Sequence, residues 1–255
     1  MKEFSTSNVR NIVLASYSNS GKTLLVENLL NFTGATTRIG SVEDGTTVSD
    51  FDDEEKRRNI SLFTSVLPVI YKNVKFNFLD TPGYTDFVGE VVSAMRVADC
   101  ALILVDSVGG LEVGTETALE LAEKFNMPKL MVINKMDREN ASFEKALESV
   151  RNGVDDVRLI PMQLPWGEKA DFQGVIDLIT MKAYKGDGKT AVEIPANLKD
   201  EAEEARMVLV EAAAEGEDSL LEKYFENGDL TSEEILQGLH KAIQESNIMP
   251  VLVAA

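Results

Sequence analysis

Two patterns of apolar and polar positions alternate along this 255-residue chain. Strand-like runs lie at residues 12–15, 74–79, 100–105, 129–133 and 249–253, and the continuous apolar run at 100–105 is typical of a strand that is covered on both faces. Helical spacing follows three of these runs, at residues 24–30, 86–97 and 114–125. Lys72-Asn73 reads as a tight turn that joins residues 62–71 to the second run as an antiparallel hairpin. The pattern predicts an α/β fold with a doubly wound, mostly parallel sheet.

A different pattern begins at Val157. Residues 158–165 and 174–179 resemble short strands, and residues 199–216 resemble a helix. Thr231 and Glu234 form a capping box that predicts a last helix to about Ser246. We therefore expect an inserted α+β subdomain at 157–246, a core at 1–156 and a final core strand at 247–255. A closing helix normally follows such a strand, so we expect the chain to be part of something longer.

Charge and composition narrow the classes of partner. The net charge is −18, and residues 197–245 hold fourteen acidic against four basic side chains. Such a surface offers few cations to nucleic-acid phosphates, so we expect no direct binding of nucleic acid by this domain. The single cysteine, Cys100, and the absence of a membrane-spanning apolar run indicate a cytoplasmic protein, which we expect to be a monomer.

The first candidate site follows the first apolar run and opens onto the first helical stretch. It consists of Ser16, Tyr17, Ser18, Asn19, Ser20, Gly21, Lys22 and Thr23. A small-residue loop that ends in Gly-Lys-Thr between a strand and a helix is typical of a phosphate-binding loop. Backbone N–H groups and the helix dipole attract the anion, Lys22 adds a positive charge, and the Thr23 hydroxyl can bind Mg²⁺. A Ser/Gly-rich turn without a ligand is the alternative for this segment alone.

The second candidate site follows residues 74–79 and consists of Asp80, Thr81, Pro82, Gly83 and Tyr84. A carboxylate at the end of a buried strand is costly unless it meets a cation, so Asp80 is a predicted Mg²⁺ ligand. Gly83 leaves its N–H open to a γ-phosphate because no side chain blocks it. The long polar stretch at residues 33–59 precedes Ser61, whose hydroxyl is a further candidate ligand for Mg²⁺.

The third candidate site follows residues 129–133 and consists of Asn134, Lys135, Met136 and Asp137. Asp137 can accept hydrogen bonds from the ring N–H and the amino group of guanine, and adenine offers no such pair. Asn134 fixes the loop, and the stem of Lys135 covers the base. Placed after a strand and behind the other two sites, this motif predicts binding of GTP and GDP rather than ATP.

These residues resemble the GTP-binding domain of bacterial elongation factor G over the whole chain. The similarity also includes residues 161–165 and 172–178, which resemble the subdomain that elongation factor G inserts into its GTPase fold. Ala254 and Ala255 fall where the family has a turn that contacts guanine. The resemblance implies a P-loop NTPase fold and a ribosome-stimulated GTPase with Lys22, Gly83 and Tyr84 at the reacting phosphate.

Three positions depart from the family pattern. Ser61 replaces a threonine and keeps the hydroxyl, whereas Asn19 replaces an aspartate and loses a charge. Tyr84 replaces the histidine that positions the attacking water, which favours an elongation factor G-like paralogue. Two hypotheses stay open: a translational GTPase, which we favour, and a GTP/GDP switch module with little or no hydrolysis. Tyr84 separates them, because it either orients water or merely packs beside the loop.

Overall fold

The computed structural model describes residues 3–154, 157–186, 188–245 and 247–255. They form two compact units. The first runs up to Val105 and includes Glu112–Met127, and the second contains Asp106–Leu111 and Pro128–Ala255. The predicted subdomain boundaries stay a prediction, and their end points Met1, Asp156 and Ser246 lie outside the described residues.

Four strands run through the first unit in the order β2-β3-β1-β4. Their bounds are β1 Val9–Ala15, β2 Ser65–Tyr71, β3 Val74–Asp80 and β4 Cys100–Asp106. β1 pairs in parallel with β3 and β4, while β2 is antiparallel to β3. The predicted hairpin is therefore confirmed, and Lys72 and Asn73 form its turn with positive φ angles of 44° and 67°.

The helices of the first unit are α1 Lys22–Phe32, α2 Asp53–Arg58, α3 Val88–Met95 and α4 Val113–Lys124. α2 lies inside the polar stretch that the periodicity assigns to a loop. A capping box explains it, because the side chain of Asp52 accepts from the N–H of Glu54 while Glu55 accepts from the N–H of Asp52. α3 starts two residues later than predicted, since Thr85–Phe87 form a 3₁₀ turn.

The second unit holds two sheets. A parallel sheet has the order β5-β11-β6, with bounds β5 Lys129–Asn134, β6 Arg158–Pro161 and β11 Ile248–Val253. An antiparallel sheet has the order β10-β9-β8-β7, with bounds β7 Gln163–Trp166, β8 Gly174–Asp177, β9 Lys182–Lys185 and β10 Ala191–Val192. The predicted strand at 158–165 is thus two strands, because its halves pair with different sheets.

The helices of the second unit are α5 Phe143–Arg151, α6 Lys199–Ala214, α7 Asp218–Asn227 and α8 Ser232–Gln244. The capping box of Thr231 and Glu234 is confirmed at the start of α8. α5 and α7 are absent from the sequence prediction. α7 ends at Gly228, whose φ of 75° is a left-handed conformation that glycine adopts readily.

Strand register brings the candidate residues to the carboxyl ends of the parallel strands. In the first unit Leu14 pairs with Asp80, so the phosphate loop and Asp80 leave the sheet side by side. In the second unit Ile133 pairs with Val253, so Asn134 and Ala254 do the same. Ligands of open α/β sheets bind at this edge. Within the described part of the chain, no helix is long and apolar enough to cross a membrane.

Candidate nucleotide-binding site

The phosphate loop joins the end of β1 to the start of α1. Asn19 and Gly21 turn the loop with φ angles of 62° and 98°, and Gly21 precedes the first helical residue. The amine of Lys22, a residue that is only 6% exposed, donates to the carbonyls of Ser16, at 3.3 Å, and Tyr17, at 2.9 Å. A positive charge is therefore held inside the loop at a helix N-terminus, which is the arrangement that attracts an anion.

Ser16 stands at the loop position where the general motif has glycine. Its side chain is buried and turns away from the loop, because its hydroxyl donates to the carbonyl of Leu104 and lies 3.1 Å from the Thr115 hydroxyl. Thr115 also accepts from the N–H of Tyr17 at 3.3 Å. The hydroxyl of Ser16 thus anchors the loop to β4 and α4, so a side chain at this position need not obstruct a phosphate.

Asp80 ends β3 and is 1% exposed. Its Oδ2 accepts from the hydroxyls of Thr23, at 2.7 Å, and Ser49, at 2.6 Å. Its Oδ1 has no hydrogen-bond partner among the described residues. Burial raises the pKa of this carboxyl, and the hydrogen bonds from Ser49 and Thr23 and the charge of Lys22 oppose that rise. A buried carboxylate oxygen without a partner fits a cation.

Ser61 completes the set of predicted metal ligands. Its hydroxyl lies 3.4 Å from that of Thr23 and donates to Asp50 Oδ1 at 2.7 Å. Thr23, Ser61 and Asp80 therefore come together, and they supply the oxygen ligands that Mg²⁺ prefers. The described residues contain no group of three or more His, Cys, Asp and Glu placed to hold a metal.

Ser49 and Asp50 belong to the same cluster, and the sequence reasoning missed them as site residues. Asp50 also accepts from the Thr47 hydroxyl at 3.1 Å, and the carbonyl of Ser49 accepts from Ser65 Oγ at 2.6 Å. Both residues are nearly fully buried despite being polar. Their position next to a run of charged residues was the only signal, because no periodicity fixes the path of this segment.

The segment after Asp80 approaches the phosphate loop closely. Thr81 is fully buried and donates to the carbonyl of Leu14 at 2.6 Å. A side chain on Gly83 would place its Cβ 2.5 Å from the N of Ser18 and 2.6 Å from the amine of Lys22. Only glycine allows this approach, so the backbone of Gly83 lies beside the groups predicted to bind phosphate.

Tyr84 follows Gly83 and is 39% exposed. Its hydroxyl makes no hydrogen bond within the described residues. A small, mainly apolar cavity lies beside it between α3 and α4, lined in part by Pro82, Val88, Ala118 and Leu121. The ring of Tyr84 thus lies at the edge of an apolar cavity, and its hydroxyl is available to a water molecule.

In the second unit, contacts within the protein itself fix the predicted base-binding turn. Lys135 has a φ of 63°, and its amine lies 2.7 Å from Asp106 Oδ2. Ser107 donates to the carbonyl of Lys135 at 2.8 Å from its hydroxyl and to the carbonyl of Asn134 at 3.0 Å from its N–H. Asp137 is exposed at the tip of the turn. The carboxylate predicted to bind guanine is therefore accessible, on a turn that hydrogen bonds and an ion pair hold in place.

Asp106 and Ser107 were also missed by the sequence reasoning. Burial alone would raise the pKa of Asp106, but the hydrogen bonds from Lys135 and from the N–H groups of Val108 and Gly109 hold it below its usual value. Asp106 is therefore a carboxylate near neutral pH. Asp106 ends β4 and Ser107 follows it, and two polar residues at the end of a buried strand were the signal that could have found this pair.

Ala254 lies beside the same turn. Its N–H donates to the carbonyl of Ile133 at 2.9 Å, and its carbonyl accepts from the N–H of Met136 at 3.2 Å. Met136 is fully buried, and its carbonyl accepts from the N–H of Lys169 at 2.7 Å. Ala255 is exposed. The structure thus places Ala254 and the Asn134–Asp137 turn together, and their nucleotide contacts stay predictions.

A phosphate loop, an acidic strand end beside its threonine and an Asn-Lys-Met-Asp turn define a phosphate-loop GTPase domain. The chain belongs to the elongation factor Tu GTP-binding domain family, whose model matches residues 7–253. The chain is therefore a member of a family of GTP-binding domains, and the predicted resemblance and fold class are confirmed.

Two relatives are similar over most of the chain. Elongation factor G of Thermotoga neapolitana is 40% identical over 254 residues, which cover 97% of this chain and 36% of that protein. A crystal structure of a Thermus thermophilus protein matches with a TM-score of 0.89 and 34% identity, over 97% of this chain and 37% of that one. The chain thus spans little more than a third of the length of these relatives.

Proposed function

We propose that this domain is the GTP-hydrolysing part of an elongation factor G-like translational GTPase that acts on the ribosome. One observation carries the proposal: the Asp80–Tyr84 segment contacts the phosphate loop through both Thr23 and the close approach of Gly83 to Lys22. A γ-phosphate held by the loop would meet that segment directly. The presence or absence of the phosphate can then change the conformation of the segment.

The nucleotide contacts follow from this arrangement. Residues 16–23 hold the phosphates, with Lys22 as the charged group, and the N–H of Gly83 meets the γ-phosphate. In the second unit Asp137 accepts from guanine, Lys135 covers the base, and the turn of Ala254 and Ala255 lies beside it. Phosphoryl transfer depends mainly on positioning and on stabilising negative charge, which these groups supply.

Thr23, Ser61 and Asp80 would hold Mg²⁺, and Asp80 would act through its buried oxygens. When bound, the ion neutralises charge on the β- and γ-phosphates. The hydroxyls of Thr23 and Ser49 donate to Asp80 Oδ2, so these donors keep a buried carboxylate partly satisfied.

Tyr84 is the proposed water-positioning residue. Its phenolic oxygen can hold a water molecule by hydrogen bonding, and phosphoryl transfer depends mainly on such positioning. We therefore expect very slow intrinsic hydrolysis and acceleration on the ribosome. The second candidate function, a GTP/GDP switch with little hydrolysis, is favoured by the apolar cavity beside Tyr84, against which the ring can pack.

The remaining partners are part of the same proposal. A domain with a net charge of −18 should make few direct contacts with ribosomal RNA. We propose a cytoplasmic location, because the single free cysteine is consistent with a reducing compartment. We also propose that the protein is a monomer.

Single-turnover GTP hydrolysis, with and without ribosomes, tests the proposal on the protein that carries this domain. We expect ribosomes to accelerate wild type, Tyr84→Phe to be slower on ribosomes, and Tyr84→His to match or exceed wild type. Tyr71→Phe is the control, because Tyr71 is an exposed tyrosine on β2. Hydrolysis that ribosomes do not stimulate would favour the switch module. Equal stimulated rates in all variants would show that Tyr84 has no catalytic part.

A further inference from the structure

Glu27 is a buried carboxylate that the proposed function does not use. It lies on α1, slightly more than one turn after Thr23, and is 1% exposed. Its Oε2 accepts from the N–H of Gly40 at 2.9 Å, and its Oε1 accepts from the N–H of Val48 at 2.6 Å. One side chain thus holds two points of the polar segment to the helix that begins with the phosphate-binding lysine.

The contact with Glu27 requires a residue without a side chain at position 40. A Cβ there would lie 2.7 Å from Glu27 Oε2 and 2.6 Å from the carbonyl of Thr46. Between the two anchored amides, Ser41 and Thr46 exchange hydrogen bonds, with the N–H of Thr46 donating to the Ser41 carbonyl at 3.0 Å. Residues 40–48 therefore form a closed loop whose two ends meet at Glu27.

Ser49, the residue after Val48, is the first of the groups that lie at the proposed Mg²⁺ site; the others are Asp50 and Ser61. Ser49 donates to Asp80, and Asp50 accepts from Ser61. A second buried carboxylate, Glu55, accepts from the N–H groups of Leu62 at 2.9 Å and Phe63 at 3.1 Å. The segment that carries Ser49, Asp50 and Ser61 is thus bounded upstream by the Glu27 anchor and held downstream by Glu55.

We propose that Glu27 is a positioning residue for the Mg²⁺ site, which fixes residues 40–48 in every nucleotide state and confines movement to residues 49–61. The inference rests on the proposed function, because it presumes that Ser61 and Asp80 bind Mg²⁺ beside a nucleotide. Only part of the polar stretch at residues 33–59 would then respond to the nucleotide. The upstream part stays attached to α1, and only the part beyond the anchor responds to the γ-phosphate.

Replacing Glu27 by glutamine, which has nearly the same shape, tests the role of its carboxylate. A carboxylate can accept two N–H groups at once, whereas glutamine offers one oxygen and turns an NH₂ group toward the other donor. Glu27→Gln should therefore release Gly40 or Val48 with little change in volume. Glu120→Gln is the matched control, because Glu120 is an exposed glutamate on α4.

Amide exchange and Mg²⁺ dependence are the two measurements. In wild type, the amides of Gly40 and Val48 should be equally protected with GDP and with a non-hydrolysable GTP analogue, while residues 49–61 should gain protection only with the analogue. Glu27→Gln should raise exchange at 40 or 48, and the Mg²⁺ concentration that halves GDP release should rise about tenfold. Affinity for GDP at saturating Mg²⁺ should stay near that of wild type.

A residue with only a structural role would lower the melting temperature in Glu27→Gln and leave the Mg²⁺ dependence at that of Glu120→Gln, which would overturn the inference. Nucleotide-dependent protection at Gly40 and Val48 in wild type would also overturn it, even if the variant fails to fold. Failure of wild type to bind GDP or to respond to Mg²⁺ is a different result, because it would refute the proposed function itself.

Discussion

The phosphate loop of the first unit and the base-binding turn of the second each hold a lysine, but the two amines have different partners. Lys22 donates to carbonyls of its own loop, whereas Lys135 pairs with the carboxylate of Asp106. A phosphate must compete with the contacts of Lys22, while a base can stack on the Lys135 stem and leave its ion pair intact. Lys22 is therefore held by neutral carbonyls, whereas Lys135 is held by a charged partner.

The residues around Asp80 show the same difference between the phosphate loop and the base-binding turn. Thr23 and Ser49 occupy one oxygen of Asp80 and leave the other without a partner in the described structure. In the base-binding turn, by comparison, the carbonyls of Asn134, Lys135 and Met136 all accept hydrogen bonds. Preorganisation lowers the cost of binding, so specificity for the base should be less sensitive to Mg²⁺ than phosphate affinity is.

Asp137→Asn should produce the largest effect and tests whether the preformed turn reads the base. The carboxylate accepts from the guanine amino group, whereas an amide can donate to the 2-oxo group of xanthine. Sites that leave a buried polar group unpaired discriminate by roughly 10⁴–10⁵-fold. Competition between GDP and XDP measures the change, and an unchanged preference would mean that Asp137 does not contact the base.

Lys22→Ala should weaken GTP and GDP binding by roughly 10²–10⁴-fold, because two charge-assisted hydrogen bonds of about 1.5–3 kcal/mol each are lost. Titration of a fluorescent nucleotide analogue measures the affinity. The preformed base site would remain, so the preference for GDP over XDP should persist in the residual binding. Affinity equal to wild type would refute the assignment of residues 16–23 as a phosphate loop.

Asp106→Asn should accelerate GDP release about tenfold, because Lys135 loses a charged partner and the base loses a fixed surface. The amide oxygen can still accept from the N–H groups of Val108 and Gly109, so the turn should stay folded. Stopped-flow release of a fluorescent GDP is the measurement, with Asp200→Asn on α6 as the exposed control. Release at the control rate would show that the ion pair does not support the base site.

Ser16→Ala should have the smallest effect on binding, within about threefold, because the hydroxyl faces away from the loop interior. Stability should fall by about 1–2 kcal/mol, since the Leu104 carbonyl loses a buried donor. Urea unfolding and GDP titration separate the two effects. A large loss of affinity without a loss of stability would mean that Ser16 contacts the phosphate instead.

The three motifs were predictable from sequence because each lies within a few residues of a strand end. Strand, turn and helix signals are local, so Lys22, Asp80 and Asn134 could be placed without the fold. Asp52 and Glu55 also carried a local helix signal, a capping box that predicts the start of α2. That signal was missed because the surrounding residues have no apolar periodicity.

Other residues could not be predicted because their roles depend on the path of a long segment. Glu27 reads as an ordinary residue of an amphipathic helix until the structure shows Gly40 and Val48 donating to it. Ser49 and Asp50 reach the metal-facing cluster only because the segment folds back onto β3. Asp106 and Lys135 are 29 residues apart, and only sheet pairing brings them together.

The contact between Ser16 and Thr115 has a consequence for how this domain can evolve. The two hydroxyls are 99 positions apart in sequence and 3.1 Å apart in space, and Thr115 also holds the N–H of Tyr17. A change of either residue alters the surroundings of the other, so their substitutions should be epistatic. Among related sequences, the first residue of the phosphate loop and the first turn of α4 should therefore covary, with serine at one site accompanied by a hydroxyl at the other.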